Sequence, residues 1–221
     1  MYIDPLLLPR YLLYLSAVAT LSGLLLAARA APWGALYRVP QRMHLLAGGA
    51  VCCLLLWLLS IRFDDGLLVH LTGMAALTMV LGVSLALLAG AAAALGLALF
   101  KGLSPAGLPL AWLLSVLVPV LVTHLLVQWL RRCPLRNPVV YILGAGFFGA
   151  ALGVLLIALC AVGVFWLAGL QTWLEAARQS WPLLLLLMFS EGFVNGTCAA
   201  ALVTFQPDWL RAYDEAFFLG D

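Results

Sequence analysis

Charge is what this chain has least of. Of its 221 residues, 11 are Lys or Arg and 9 are Asp or Glu, or 9% of the total against 66% hydrophobic. A soluble domain carries about 25% charged residues, so a water-soluble globular fold is excluded. A mean hydropathy of +1.13 points to an integral membrane protein whose first partner is the lipid bilayer. The net charge of +2 is too small to argue for a nucleic-acid partner. The five cysteines, Cys52, Cys53, Cys133, Cys160 and Cys198, form no CxxC pair. Neither a zinc ribbon nor a disulfide framework is therefore expected. HExxH, GxSxG and Walker sequences are missing, as are paired acids within one helical turn of an apolar segment. No enzyme chemistry is expected, and any ATP-driven step would belong to another chain.

What the sequence does hold is long apolar runs. Residues 11–30, 43–61, 67–82, 84–100, 108–130, 139–168 and 181–205 are each of a length to cross a hydrocarbon core, which takes roughly 17–25 residues. They predict an all-α polytopic transmembrane bundle of about seven spans, forming one integral membrane domain over residues 1–221. The third and fourth runs form one continuous block with Gly82 at the expected turn. Short re-entrant helices joined there are the alternative. Residues 11–28, followed by ARAAPWG, have the look of a signal peptide. Asp4 precedes them and Pro32 follows the cleavage-like site, so they are read as a retained first helix.

Seven spans place the two ends on opposite sides. Arg29, Arg38, Arg42, Arg131, Arg132, Arg136 and Arg211 then gather on one side, against Arg10, Arg62, Lys101 and Arg178 on the other. The positive-inside rule makes the first set cytoplasmic, the N-terminus external and the C-terminus internal. This is the arrangement expected in a cell's inner (cytoplasmic) membrane. Trp112, Trp166, Trp173 and Trp181 fall at the outer interface, and Trp33, Trp129 and Trp209 at the inner one. The tail 206–221, QPDWLRAYDEAFFLGD, is read as an interfacial cytoplasmic segment, with docking of a partner as the alternative. Gly146, Gly149 and Gly153 make a small-residue stripe, expected to serve close helix packing.

The informative polar residues are those inside the apolar runs. Glu191 lies at mid-depth of WPLLLLLMFSEGFVNGTCAAALVTF, where a carboxylate costs a few kcal/mol unless paired or facing a cavity. Met188, Glu191, Asn195 and Cys198 follow at spacings that share one helix face. Two readings stay open for this face: hydrogen-bonded glue to a neighbouring helix, or the lining of a ligand or proton site. His70 has Met74 one turn on, and His124 has Gln128 one turn on, at a different depth. Imidazole, carboxylate and thioether together suit nickel, cobalt or copper better than magnesium or calcium. Asp64 and Asp65, before His70, are candidates for attracting a cation at the entrance, or are a solvated loop pair.

The run HLTGMAALTMVLGVSLALLAGAAAALGLALF, from His70, resembles the HLLxNGLxGVLLGPxAxLAxxxxLxLQALLF block of the CbiM/NikM family. These are the membrane substrate-binding subunits of energy-coupling-factor cobalt and nickel transporters. The helix ending VTHLLVQWLRR and the segment SEGFVNGTCAAALVTFQPDWL resemble the corresponding later helices, so the likeness runs over roughly residues 67–210. It is closest to a divergent, poorly characterised branch of predicted membrane proteins. The chain departs from the family at its start. MYIDPLLLP carries Tyr2 where the family has the His that ligates metal with the free amine, and His70 is the matched ligand residue. The resemblance implies a substrate-binding, permease-like subunit for a transition-metal ion or small solute. A coupling subunit and an ATPase on separate chains would be its partners, and no cofactor beyond the metal itself, carried as substrate, is implied. The alternative is a non-transport membrane protein that assists assembly or maturation of another membrane complex, a metalloenzyme among the options.

Overall fold

The computed structural model describes residues 1–63, 66–133, 137–211 and 213. The expected entrance residues Asp64 and Asp65, together with Arg136 and most of the tail, lie outside these. The described chain is helical almost throughout: α1 (Arg10–Ala30), α2 (Trp33–Arg38), α3 (Pro40–Leu58), α4 (Met74–Leu81), α5 (Val83–Lys101), α6 (Leu108–Trp112), α7 (Val118–Arg132), α8 (Pro138–Tyr141), α9 (Gly149–Leu167), α10 (Gln171–Gln179) and α11 (Trp181–Phe205). A π-helical stretch, Leu113–Leu117, fuses α6 to α7, and another, Ile142–Phe148, fuses α8 to α9. Six helical stretches among the described residues are long and apolar enough to cross a membrane.

The segment 67–82 departs from its expected helical span. It holds a strand, β3 (Leu67–Val69), then an irregular link at residues 70–73 that ends on Gly73 in the left-handed region (φ +65°), and only then the eight-residue α4. β3 pairs antiparallel with β1 (Tyr2–Ile3) on one side and β2 (Ile61–Phe63) on the other. This small sheet closes one end of the bundle. At the opposite end Gly82 lies in one groove with Ala30, Arg131 and Arg211. The segment therefore passes from the sheet end to the arginine end with one short helix. Its eight helical residues rise only about 12 Å.

Gly82 makes the turn that the continuous apolar block hides. Its N–H ends α4 on the Thr78 carbonyl, and its carbonyl accepts from Ala86 at the start of α5. Its φ of +75° lies where residues with a Cβ are strained. Around this turn α5 packs on α1 and α3, while α7, α9, α11 and the 142–148 stretch pack on one another. The glycine stripe serves that second packing. A Cβ on Gly146 would lie 2.9 Å from the Ala199 Cβ and 3.1 Å from the Gly196 Cα of α11.

Candidate functional site

An eight-residue helix at membrane depth leaves unpaired backbone N–H groups at its start, and lipid supplies no partner for them. Here α11 supplies the partners. The Thr72 N–H donates to Glu191 Oε2 at 2.6 Å, and the Gly73 N–H to Glu191 Oε1 at 2.7 Å. The Thr72 hydroxyl donates to Oε1 at 2.6 Å, and Asn195 Nδ2 donates there at 2.9 Å. Every one of these partners is a donor, which suits a carboxylate that only accepts. Asn195 Oδ1 takes the Ala76 N–H at 2.8 Å. Glu191 and Asn195, 1% and 0% exposed, thus cap α4 from another helix. Charge-assisted hydrogen bonds of about 1.5–3 kcal/mol each offset the cost of the buried acid. Asn195→Ala leaves the Ala76 N–H unpaired, and should lower stability by about 1–2 kcal/mol, read as a lowered melting temperature in detergent.

The non-helical link so held begins at His70. Its Nδ1 lies 2.9 Å from the Leu71 carbonyl oxygen. A carbonyl only accepts, so Nδ1 carries the proton and Nε2 presents its lone pair inward. That lone pair faces the nitrogen of Met1 at 2.8 Å. The same nitrogen donates to the hydroxyl of Ser115, which in turn donates to the Met1 carbonyl at 3.2 Å. Pairing of Tyr2 with Leu68 in the sheet brings Met1 to this point, and the π-helical stretch carries Ser115. Trp57 completes the wall. Its ring centroid is 4.6 Å from that of His70, and its Nε1–H donates to the Thr72 carbonyl at 2.8 Å. Burial pushes the Met1 amine down to about 4, against a smaller upward pull from the Glu191 carboxylate. At neutral pH it is an uncharged nitrogen donor.

Between these groups is a void of about 10 Å³ bounded by Met1, Tyr2, Trp57, His70 and Ser115, room for one water-sized particle. A larger cleft of about 450 Å³, walled by α9, α10 and α11, also reaches Met1, His70 and Glu191. The remaining candidates from the sequence lie elsewhere. Met74 is fully buried in the core with Leu77, Ala86 and Val116. His124 and Gln128 are hydrogen-bonded to each other at 2.9 Å and line the groove at the arginine end. Cys198 is exposed, so the inward stripe of α11 narrows to Glu191 and Asn195. Among the described residues no group of three or more His, Cys, Asp or Glu comes together. Reasoning from residue types missed Met1, Ser115, Thr72 and Trp57. The sequence signal nearest to them was the Thr-Gly pair directly after His70.

Long apolar helices that enclose a buried pair of nitrogen donors make this an all-α, multi-pass membrane protein. Residues 3–209 match the family described as the cobalt uptake substrate-specific transmembrane region, CbiM. The chain belongs to that family, and is a membrane component of metal uptake. Its fold is similar to a crystal structure described as a truncated transition metal transporter, at a TM-score of 0.72 and 16% identity, over 94% of this chain and 99% of the other. No curated protein sequence matches it closely enough to count as a relative.

Proposed function

We propose that this protein is the substrate-binding subunit of a transition-metal uptake system, and that it takes its ion between the Met1 nitrogen and His70 Nε2. The coupling subunit and the ATPase would be separate chains. The 2.8 Å between the two nitrogens carries this reading. With Met1 as the first residue, its nitrogen is a primary amine. Two metal–nitrogen bonds of about 2.0–2.1 Å that meet at a right angle hold their nitrogens about 2.8–3.0 Å apart. A tetrahedral ion would need them wider, at about 3.3 Å. The bite therefore favours square-planar or octahedral ions, with nickel and copper the usual occupants of tetragonal nitrogen sites.

The second observation is how His70 is held. A ligating imidazole ordinarily donates its other N–H to a carbonyl or carboxylate, and the Leu71 carbonyl does that here. The non-helical link 70–73 then positions the ligand, Glu191 and Trp57 hold the link, and the uncharged amine needs no proton removed at neutral pH.

Calorimetric titration of the detergent-purified protein with Ni²⁺, Co²⁺ and Cu²⁺ tests the reading. One site per chain is expected, weakened on the order of 100-fold or more by His70→Ala, since a ligand should count for at least as much as the outer-shell partners. Wild-type affinity in a His70→Ala protein that still melts cooperatively would remove the site, and so would no binding of any of the three ions.

A further inference from the structure

The space around the nitrogen pair is larger than a bare ion needs. The void between Met1 and His70 has room for one water-sized particle, at about 10 Å³. The cleft beside it holds about 450 Å³ and shares both of those residues. Pockets that take small organic molecules run about 300–1,000 Å³ and are mostly apolar, with a few polar groups that fix orientation. Here the buried end of the cleft is formed by His70, Thr72 and Glu191. Away from that end the walls are aliphatic and aromatic. Ile157 and Ala158 come from α9, and Leu184 from α11. α10 adds Trp173 and Ala176, with the Trp173 ring centroid 5.4 Å from that of Phe165.

Such walls are a poor seat for a free divalent ion, because the cost of taking an ion out of water grows with the square of its charge. A chelator that adds one carboxylate lowers the charge from +2 to +1, and that cost about fourfold. The coordination geometry points the same way. Two nitrogens at a right angle fill two corners of a square plane. An α-amino carboxylate offers its amine and one carboxylate oxygen at nearly the same spacing, about 2.8 Å, and fits the other two corners. Its side chain then extends from the ion into the cleft that His70 and Met1 also line.

We propose that the ion is taken as a one-to-one complex with an amino-carboxylate chelator whose apolar body lies in this cleft. Met1 and His70 supply the two corners that the chelator leaves open. This rests on the nitrogen pair being the metal site.

Titration of the detergent-purified full chain with Ni²⁺, with its one-to-one glycine complex and with its one-to-one phenylalanine complex reads this directly, the amino acids being radiolabelled. Glycine and phenylalanine offer nickel the same donor atoms, so a difference between them reports the cleft alone. The phenylalanine complex should bind roughly tenfold more tightly or better, the usual gain from burying a phenyl side chain. One labelled phenylalanine should stay on the protein per nickel. Ala158→Trp fills the cleft from a partly buried position, and should erase the difference while bare-ion affinity is kept. If that variant does not fold, Ala176→Trp, on the exposed side of α10, should do the same. Equal affinity for the two complexes, or nickel retained without its labelled chelator, would overturn the proposal and leave the two-nitrogen site standing. Labelled phenylalanine held equally well without nickel would overturn it too, as a mere apolar pocket. Absence of binding by the bare ion and both complexes would overturn this proposal and the metal site together.

Discussion

Replacing Glu191 by Gln should lower the apparent melting temperature of the detergent-solubilised protein by roughly 5–15 °C. Gln has nearly the same shape, so no cavity is created. It does place an NH₂ where the structure has a carboxylate oxygen accepting from Thr72, Gly73 or Asn195. Donor then faces donor inside the bundle, and at least one buried N–H is left without a partner. Loss of one or two charge-assisted bonds of about 1.5–3 kcal/mol each gives a cost of about 2–4 kcal/mol, and in a chain of this size each kcal/mol moves the midpoint by about 2–4 °C. Glu191→Leu should cost more, because it deprives every donor at once. Since the freed stretch carries His70, nickel affinity should fall alongside stability. A melting temperature within about 2 °C of wild type would mean that Glu191 does not cap α4.

The second large effect concerns a backbone group. Adding two residues, Gly-Ser, ahead of Met1 converts its amine to an amide and places the new terminal amine outside the void. Nickel binding should fall on the order of 100-fold or more, as for His70→Ala, while the helices stay folded; an unchanged titration would exclude the amine as a ligand. The two forms should also differ in their response to acid without metal. Burial holds the wild-type amine at about 4, against an ordinary value of about 8 for an unfolded chain. Between those values the unfolded chain carries a proton on the amine that the folded chain lacks. Stability therefore rises with pH through this window, and is lost as pH falls from about 8 towards 4. The extended variant, its terminus in water, should lack that component in parallel melting curves at pH 5 and 8.

Most of the helices could be read from the amino acids because hydrophobic length is a local property. Six stretches match within a few residues, apart from the surface helix at 171–179. Segment 67–82 departs from the expected helix for an identifiable reason. HLTG is the least apolar part of the run but is too short to interrupt it, and what holds it out of the helix is a carboxylate 119 positions away. Glu191 was singled out from its cost alone, with interhelical glue as one of two readings, but its partner could not be named from one sequence. The Met1 nitrogen was invisible for a different reason. Every chain has a terminal amine, and only the strand pairing of Tyr2 with Leu68 makes this one a neighbour of His70. Tyr2, where the resemblance expects His, is held apart by its hydroxyl, which donates to the Ser104 carbonyl at 3.1 Å.

The grip of α11 on residues 72–76 would also make that helix a handle on the proposed ion site. The hydrogen bonds of 2.6–2.8 Å that Glu191 and Asn195 accept from residues 72–76 fail once their partners separate by about 1 Å more. They end only two positions from His70. A tilt or slide of α11 imposed from outside the chain would therefore drag the imidazole with it or break its support, and either event would separate the nitrogen pair proposed to hold the ion. Retention and release would then be two positions of one helix.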